Sequence, residues 1–389
     1  MIVSAIAHAG DVTVEFDSLH VTDDLPTSAC IKESQTNMFR PKPTKRVTSS
    51  QVAKLAGVSR TAVSFVLNNV PDTGISLETR ERILLAANQL GYVPNAMARS
   101  LVSGATRTVA LLIPQGDHAN VNVDAYIPRF LAGVNLTCHA HGYKVLLEPV
   151  AETSRAGEFL DLVESGRIDG LIVLNPRRLD EAYMCELGAS GFPLVVFGSG
   201  LTEHKDVHSI EADNRDAARR ATSHLLALGH SRIAHIGFAS EDCQIARERL
   251  LGYRDALEAA CVDVNPAWIA YGNYSAQSGF DAMRVMLAHR LGFSALFAGN
   301  DTIAFGAMAA LRDAGLRIPE DVAIVGFDDI PLAAYAAPPL TTMRTEPCKE
   351  GGAAASMLLQ LISGKHPAPD RVKGTVPLIV RQSCGSGIP

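Results

Sequence analysis

The run T-S-S-Q-V-A-K-L-A-G-V-S-R-T-A-V-S-F-V-L-N-N, which begins at Thr48, admits few structures. Thr48 with Gln51 three residues on fits a capping box, and Val52, Ala53 and Ala56 give one apolar face to a short helix that stops at Gly57. Ser59 caps a second helix whose inward stripe is Val63, Val66 and Leu67. A third helix starts from a cap at Ser76, buries Ile83, Leu84, Ala87 and Leu90, and ends at Gly91. Two short helices joined by G-V-S predict a helix-turn-helix, and the third completes the core of an all-α unit over residues 46–93.

Charge singles out the same stretch. The chain as a whole is acidic, with a net charge of −6. Residues 41–105 nevertheless carry eight basic side chains against three acidic ones, whereas residues 1–40 carry two against six. A polyanion senses local charge within about a Debye length, so a basic segment in an acidic protein is a candidate nucleic-acid surface. Residues 1–45 have no periodicity that ties them to a core and are expected to be a mobile extension. Met38, just before P-K-P-T-K-R, is a candidate alternative start.

In the second helix the side opposite the stripe carries Thr61, Ser64, Phe65 and Asn68, with Arg60 at its leading edge. Such a face suits the major groove, its first residues against base edges. A solvated bundle face would accommodate Arg60, Thr61 and Ser64 equally well. It would not accommodate Phe65, whose ring costs exposed apolar area unless something covers it. After Gly91-Tyr92-Val93-Pro94 comes N-A-M-A-R-S-L-V-S-G, too short to hold a helix alone in water but apolar enough at Met97, Ala98 and Leu101 to fold against a partner.

These residues closely resemble the headpiece and hinge of the LacI/GalR family of bacterial repressors: R-V-T-S-S-Q-V-A-K-L-A-G-V-S-R-T-A-V-S-F-V-L-N, then T-R-E-R-I, then L-G-Y-V-P-N-A-M-A-R-S-L. The resemblance implies a homodimer on a pseudo-palindromic operator in double-stranded DNA, with paired hinge helices over residues 94–106 in the minor groove. It implies that Leu101 acts as an apolar wedge between the central base pairs. Arg60, Thr61 and Phe65 match the family's base readers, and Thr48, Asn68 and Thr79 its phosphate contacts. The candidate DNA-contacting set is therefore Thr48, Ser59, Arg60, Thr61, Ser64, Phe65, Asn68 and Thr79, with Asn95, Ala98 and Leu101 in the hinge. Phe65 departs from members that carry a polar or basic reader there, and implies contact with a thymine methyl or a base edge. The loop N-V-P-D-T-G-I is longer than usual in the family.

Beyond Arg107 the pattern changes. Apolar runs at 109–113, 145–147, 171–174, 194–197, 233–236, 295–298 and 322–325 alternate with amphipathic helices. Short strands apolar on both faces, separated by helices, predict parallel sheets covered on both sides. Residues 107–389 are long enough for two such lobes, and ligands of these sheets bind at the carboxyl ends of the strands. The segment resembles the family's core, a periplasmic-binding-protein-like α/β pair of parallel-sheet lobes with a cleft between them.

Three motifs in that core carry candidate ligand chemistry. Arg249, three residues before Gly252 in R-E-R-L-L-G-Y-R-D-A-L, matches the family's effector-binding arginine on a helix expected after the fourth core strand. Asp301, in G-N-D-T-I-A-F-G-A-M, matches an acceptor at a strand end, and Tyr274, in G-N-Y-S-A-Q-S-G, an aromatic that stacks on the ligand. Singly, the arginine could form a surface ion pair, the aspartate cap its helix, and the tyrosine be packing. Together they suit a small polyhydroxylated or heterocyclic effector, a sugar or related metabolite. The first core loop, P-Q-G-D-H-A-N-V-N-V-D-A-Y-I-P-R-F, is longer than the family's and brings Tyr126 or Asp124 toward the pocket. Gly198 and Ser199 stand where many members carry a charge, and Asp328-Asp329 is expected to be cleft-proximal structure.

No enzyme motif appears: G-x-S-x-G, H-E-x-x-H, a Walker loop and G-x-G-x-x-G are all absent, and no cofactor is implied. His139-x-His141 lacks an evident third metal ligand. Seven cysteines without paired spacing suit a reducing cytoplasm. No apolar run is long enough for a membrane helix. The C-terminal R-Q-S-C-G-S-G-I-P carries no heptad helix, so a dimer rather than a tetramer is expected.

Overall fold

The computed structural model describes residues 47–68, 70, 73–93, 104–114, 125–151, 154–198, 207–290, 292–367 and 371–386. The acidic extension, the hinge residues Asn95, Ala98 and Leu101, Asp124 and Ser199 lie outside the described residues. The chain divides into two compact units, one ending at Val93 and the other beginning at Pro94.

In the first unit, α1 (Ser49–Ala56), α2 (Arg60–Leu67) and α3 (Leu77–Leu90) form where their caps put them. The Gln51 side chain reaches back to accept the Thr48 backbone N–H at 2.8 Å. The Ser59 hydroxyl accepts the Ala62 N–H at 3.1 Å, and Ser76 that of Thr79 at 3.2 Å. Gly57 and Gly91 close α1 and α3 with φ of 64° and 62°, a left-handed turn that costs glycine least. Val52, Ala53, Ala56, Val63, Val66, Ile83, Ala86 and Ala87 make the core. Leu84 corrects the expectation for α3: it is 48% exposed, and Ala86 takes the inward place because a small side chain allows α3 to lie close on its neighbours.

The second unit is two α/β lobes. The first sheet is built from β1 (Thr108–Pro114), β2 (Lys144–Val150), β3 (Gly170–Leu174), β4 (Leu194–Phe197), β5 (His208–Ala212) and β11 (Arg371–Gly374). Its order is β11-β5-β4-β3-β1-β2, every neighbouring pair parallel. The second contains β6 (Ile233–Gly237), β7 (Ile269–Tyr271), β8 (Ala295–Ala298), β9 (Ala323–Asp328), β10 (Thr341–Arg344) and β12 (Leu378–Ile379), in the order β12-β10-β9-β8-β6-β7. It is parallel except for β12, which runs antiparallel on β10.

Alternation along β1 shows why both faces are apolar. Val109, Leu111 and Ile113 pack with Phe130 and Val134 of α4 (Tyr126–Ala140) and Leu358 of α11 (Pro347–Ile362). Ala110 and Leu112 pack on the other face with Phe159, just ahead of α5 (Leu160–Glu164), and with Met184 of α6 (Glu181–Ala189). In the second lobe, α7 (Asn214–Ala227) and α8 (Gln244–Ala259) cover one face, and α9 (Ala276–Ala288) and α10 (Asp301–Asp313) the other. The chain crosses between lobes from β5 to α7, from β10 to α11 and from β11 to β12. No helix among the described residues is long and apolar enough to cross a membrane.

Candidate ligand cleft and nucleic-acid face

Both sheets present their carboxyl ends to one cavity, where an open α/β sheet leaves its strand-end loops free to meet a ligand. From the first lobe come Asn175 after β3, Phe197 at the end of β4, Ala212 at the end of β5, Tyr126 at the start of α4 and Glu350 near the start of α11. From the second come Asn214, Phe238 just after β6, Ile245 and Arg249 of α8, Asn300, Asp328 at the end of β9, and Thr345. Arg249 stands on the helix after the sixth core strand rather than the fourth: 233–236 is already the fifth apolar run, and β5, whose H-S-I-E-A lacks one, adds another strand.

Arg249 is the hub. Its Nε donates to Asn214 Oδ1 at 3.0 Å, its Nη1 donates to the Gly299 carbonyl, and its Nη2 stands 3.5 Å from Asp328 Oδ1. The guanidinium carbon lies 3.5 Å from the Phe327 ring centroid and 4.9 Å from that of Phe238. Two aromatic faces and three oxygen partners offset the desolvation of a charge whose side chain is 7% exposed.

Tyr126 lies in the cavity wall, its hydroxyl donating to Glu350 Oε2 at 2.7 Å. Burial, then the Glu350 charge, push the Tyr126 phenol well above its usual range. Burial also raises the Glu350 carboxyl, against the bonds it accepts from Tyr126 and from the Glu346 N–H.

Tyr274 and Asp301 sit one layer back. The Tyr274 ring packs edge-on against Phe238 at 5.3 Å, and its hydroxyl bonds with the Cys243 thiol, so the aromatic face turned to the cavity on this side is Phe238. Asp301, 1% exposed, accepts the Thr342 hydroxyl on Oδ1 at 2.6 Å and the Ile330 N–H on Oδ2 at 2.9 Å. Its neighbour Asn300 reaches the wall while capping α10 through the Ile303 N–H at 2.8 Å. Asp329 holds Arg344 and Arg381 at 2.6 and 2.7 Å.

Burial raises the Asp301 carboxyl to about 7, only partly opposed by its two hydrogen bonds. The folded value exceeds the unfolded one of about 4. The protonated form therefore stabilises the fold fully below pH ~4, and that contribution is lost as pH rises through ~7. Urea unfolding at pH 6 and 8 should show the native chain losing roughly 1 kcal/mol more than Asp301→Asn over this interval. Equal losses would contradict the assignment.

Among the described residues, four non-glycine residues with positive φ gather around the cavity: Asn175 (50°), Tyr274 (69°), Asp328 (109°) and Asp329 (51°). Such backbone costs of order 1–3 kcal/mol per residue and persists where surroundings enforce it. Gly198, φ 80°, has a different reason: a Cβ there would stand 2.2 Å from Ile245 Cδ1 of the opposite lobe. The lobes also meet through backbone, the Arg178 N–H donating to the Asp242 carbonyl at 2.9 Å beside an Arg177–Cys243 bridge. The space left at the centre is about 20 Å³, room for little more than a water.

On the helical unit, Thr48, Ser59, Arg60, Thr61 and Phe65 are exposed, and Phe65 is 37% so. Ser64, Asn68 and Thr79 are half-buried; Asn68 donates to the Ser64 hydroxyl at 3.2 Å, and Thr79 pairs with Ser76. The solvent face of α2 thus displays cation, hydroxyl and ring side by side.

Sequence reasoning missed Asn175, Phe197, Asn214, Phe238, Thr345 and Glu350. For Asn175, Phe197 and Phe238 a signal existed, because each ends or directly follows an apolar strand run. Glu350 had none of that kind.

Residues 50–95 match the description "Bacterial regulatory proteins, lacI family", and residues 222–384 match "Periplasmic binding protein-like domain". The chain is 34% identical over 343 residues to the HTH-type transcriptional regulator CelR of Thermobifida fusca, covering 87% of this chain and 98% of that protein. It is 32% identical over 343 residues to the HTH-type transcriptional repressor PurR of Haemophilus influenzae (strain PittEE), covering 87% and 99%. The solved Lac repressor dimer bound to operator and the anti-inducer ONPF aligns with a TM-score of 0.75 at 27% identity, over 87% of this chain and 99% of that one.

Proposed function

Because the chain belongs to the LacI family of bacterial regulatory proteins, we propose that it is a repressor whose grip on a pseudo-palindromic operator is set by a sugar or related metabolite held between its lobes. The protein acts as a dimer. Tyr271 of the edge strand β7 and Val285 of α9 are 42% and 58% exposed and give the second lobe an apolar strip for a second copy to cover.

The observation that carries this reading is the exposed Arg60, Thr61 and Phe65 on the side of α2 opposite the buried Val63 and Val66. Headpiece Lys and Arg supply salt-dependent phosphate contacts, and the α2 face reads bases. Thr48, Ser59, Ser64, Asn68 and Thr79 position it, with Asn95, Ala98 and Leu101 of residues 94–106 acting in the minor groove. Arg249 and Tyr126 contact the effector, backed by Tyr274 and Asp301. The effector shifts operator affinity only through different affinities for two arrangements of the lobes, and the cleft binds its ligand without turning it over.

Footprinting and anisotropy at defined salt, on DNA upstream of the protein's own gene, test the proposal. Arg60→Ala should weaken specific binding by about 10- to 100-fold while leaving non-specific binding much less changed. Absence of salt-dependent, sequence-selective binding by the native dimer would sink it.

A further inference from the structure

Among the described residues the cleft wall carries more carboxylate than cation, together with a buried acceptor that lacks a donor, and this selects the chemistry of the effector. We propose that Glu350 makes the cleft take an uncharged or amine-bearing molecule rich in hydroxyl or amine hydrogens, and reject phosphorylated and carboxylated metabolites. The proposal rests on the effector-cleft reading above.

Glu350 stands in the first turn of α11, where the helix N-terminus favours a carboxylate. A carboxylate offers about four lone-pair directions. Tyr126 fills one on Oε2 at 2.7 Å and the Glu346 N–H fills one on Oε1 at 3.2 Å, which leaves one on each oxygen at the cavity wall. Asn175 adds a third acceptor: the residue is 6% exposed, and its buried Oδ1 has no hydrogen-bond partner among the described residues. A buried acceptor left without a donor is costly, so a ligand that donates to it gains what the empty site lacks.

The cation in the wall does not offset these acceptors for an anionic ligand. An arginine built to clamp a phosphate or carboxylate presents its fork to the ligand. Arg249 instead holds its fork against Asn214, the Gly299 carbonyl and Asp328, with its faces against Phe327 and Phe238. Among the described residues the charged members of the wall are Arg249, Asp328 and Glu350, one cation against two carboxylates. An anion placed there meets like charge in a site with almost no water to screen it. The rings of Phe197 and Phe238 supply apolar faces for the C–H surface of a sugar or the plane of a base.

The test uses full-length protein and its operator. Probes come in matched pairs: glucose with glucose 6-phosphate, galactose with galacturonate, cellobiose with cellobionate, and adenosine and cytidine with their 5′-monophosphates. Operator anisotropy and thermal shift are read together, and the pairs separate a sugar source from a nucleoside source. Binding should be confined to neutral members. Glu350→Gln should weaken the neutral ligand at least tenfold, and Glu350→Lys should move preference toward the anionic partner. Tyr126→Phe, which keeps the charge, should alter affinity without changing the preferred class. Ligand-free melting of each variant reports whether it has folded.

Tighter binding of any anionic member to the native protein overturns the proposal, as does unchanged affinity in Glu350→Gln or silence from every neutral probe. Those outcomes leave operator binding intact. Loss of selective operator binding by the native dimer is a different result and overturns the repressor reading instead.

Discussion

Gly133→Ala should lower the stability of the core by about 3 kcal/mol or more, a fall in melting temperature of roughly 5–10 °C. A Cβ at Gly133 would stand 1.9 Å from the Cys348 carbonyl oxygen and 2.8 Å from the Gly352 nitrogen, both backbone atoms of α11. Gly351 makes the reciprocal approach, its missing Cβ lying 2.2 Å from the Phe130 carbonyl of α4. Neither helix can yield by rotating a side chain, so the pair must separate, and Phe130, Val134 and Leu358 lose packing together. Gly352→Ala is the control. Its nearest neighbour is the Thr137 hydroxyl at 3.3 Å, which can turn aside, and alanine improves helix propensity by about 1 kcal/mol. Circular dichroism melts should therefore separate the two substitutions sharply. Equal melting of Gly133→Ala and the native protein would mean that the helices do not approach in this way. The packing also has a functional consequence, because α4 begins with Tyr126 and α11 carries Glu350 in its first turn. Without glycines at the crossing, those side chains could not meet at 2.7 Å.

That contact marks where the sequence stops being informative. Local chemistry announces itself, so the caps at Thr48, Ser59 and Ser76 and the glycines at 57 and 91 bound three helices correctly. The apolar runs name seven of the core strands, six of them buried on both faces and the edge strand β2 half-buried. β5 and β10 escape because their residues are polar yet enclosed: Thr341 and Thr342 are fully buried only because Ser383 and Asp301 satisfy them from distant segments. Tyr126 and Glu350 lie 224 residues apart, and nothing near either specifies the other. The one trace is the glycine pair 351–352 inside a helix, a sign of close backbone approach. Tyr274 illustrates the converse. A motif places it beside the cleft, but whether it or Phe238 faces a ligand depends on a 69° φ and an edge-on ring contact that spacing does not encode.

Arg249→Ala should abolish the effector response and destabilise the second lobe by about 3–5 kcal/mol. The side chain does two jobs through one set of contacts. It ties α7, which begins where the chain crosses from the first lobe, to the turn before α10 and to the end of β9. It also forms part of the cavity wall. Truncation takes the Arg249 cation from beside the Asp328 carboxylate, 4% exposed, and opens a slot between Phe327 and Phe238. Arg249→Lys retains the charge but cannot reach three separated oxygens with a planar fork, so it should recover part of the stability and little of the response. Trp268 is the only tryptophan and lies beside β7, so its fluorescence during urea unfolding follows the second lobe. The three-helix unit ends at Val93 and has its own core, so its circular dichroism signal should survive where the lobe is lost. Effector affinity in Arg249→Ala should fall by 100-fold or more, as measured with any neutral probe that moves the native protein off its operator. Native affinity with a weakened lobe would make Arg249 a strut alone. Native stability with lost affinity would make it a ligand contact alone. Coupling of the two losses is what allows a molecule bound among these side chains to change how the lobes stand.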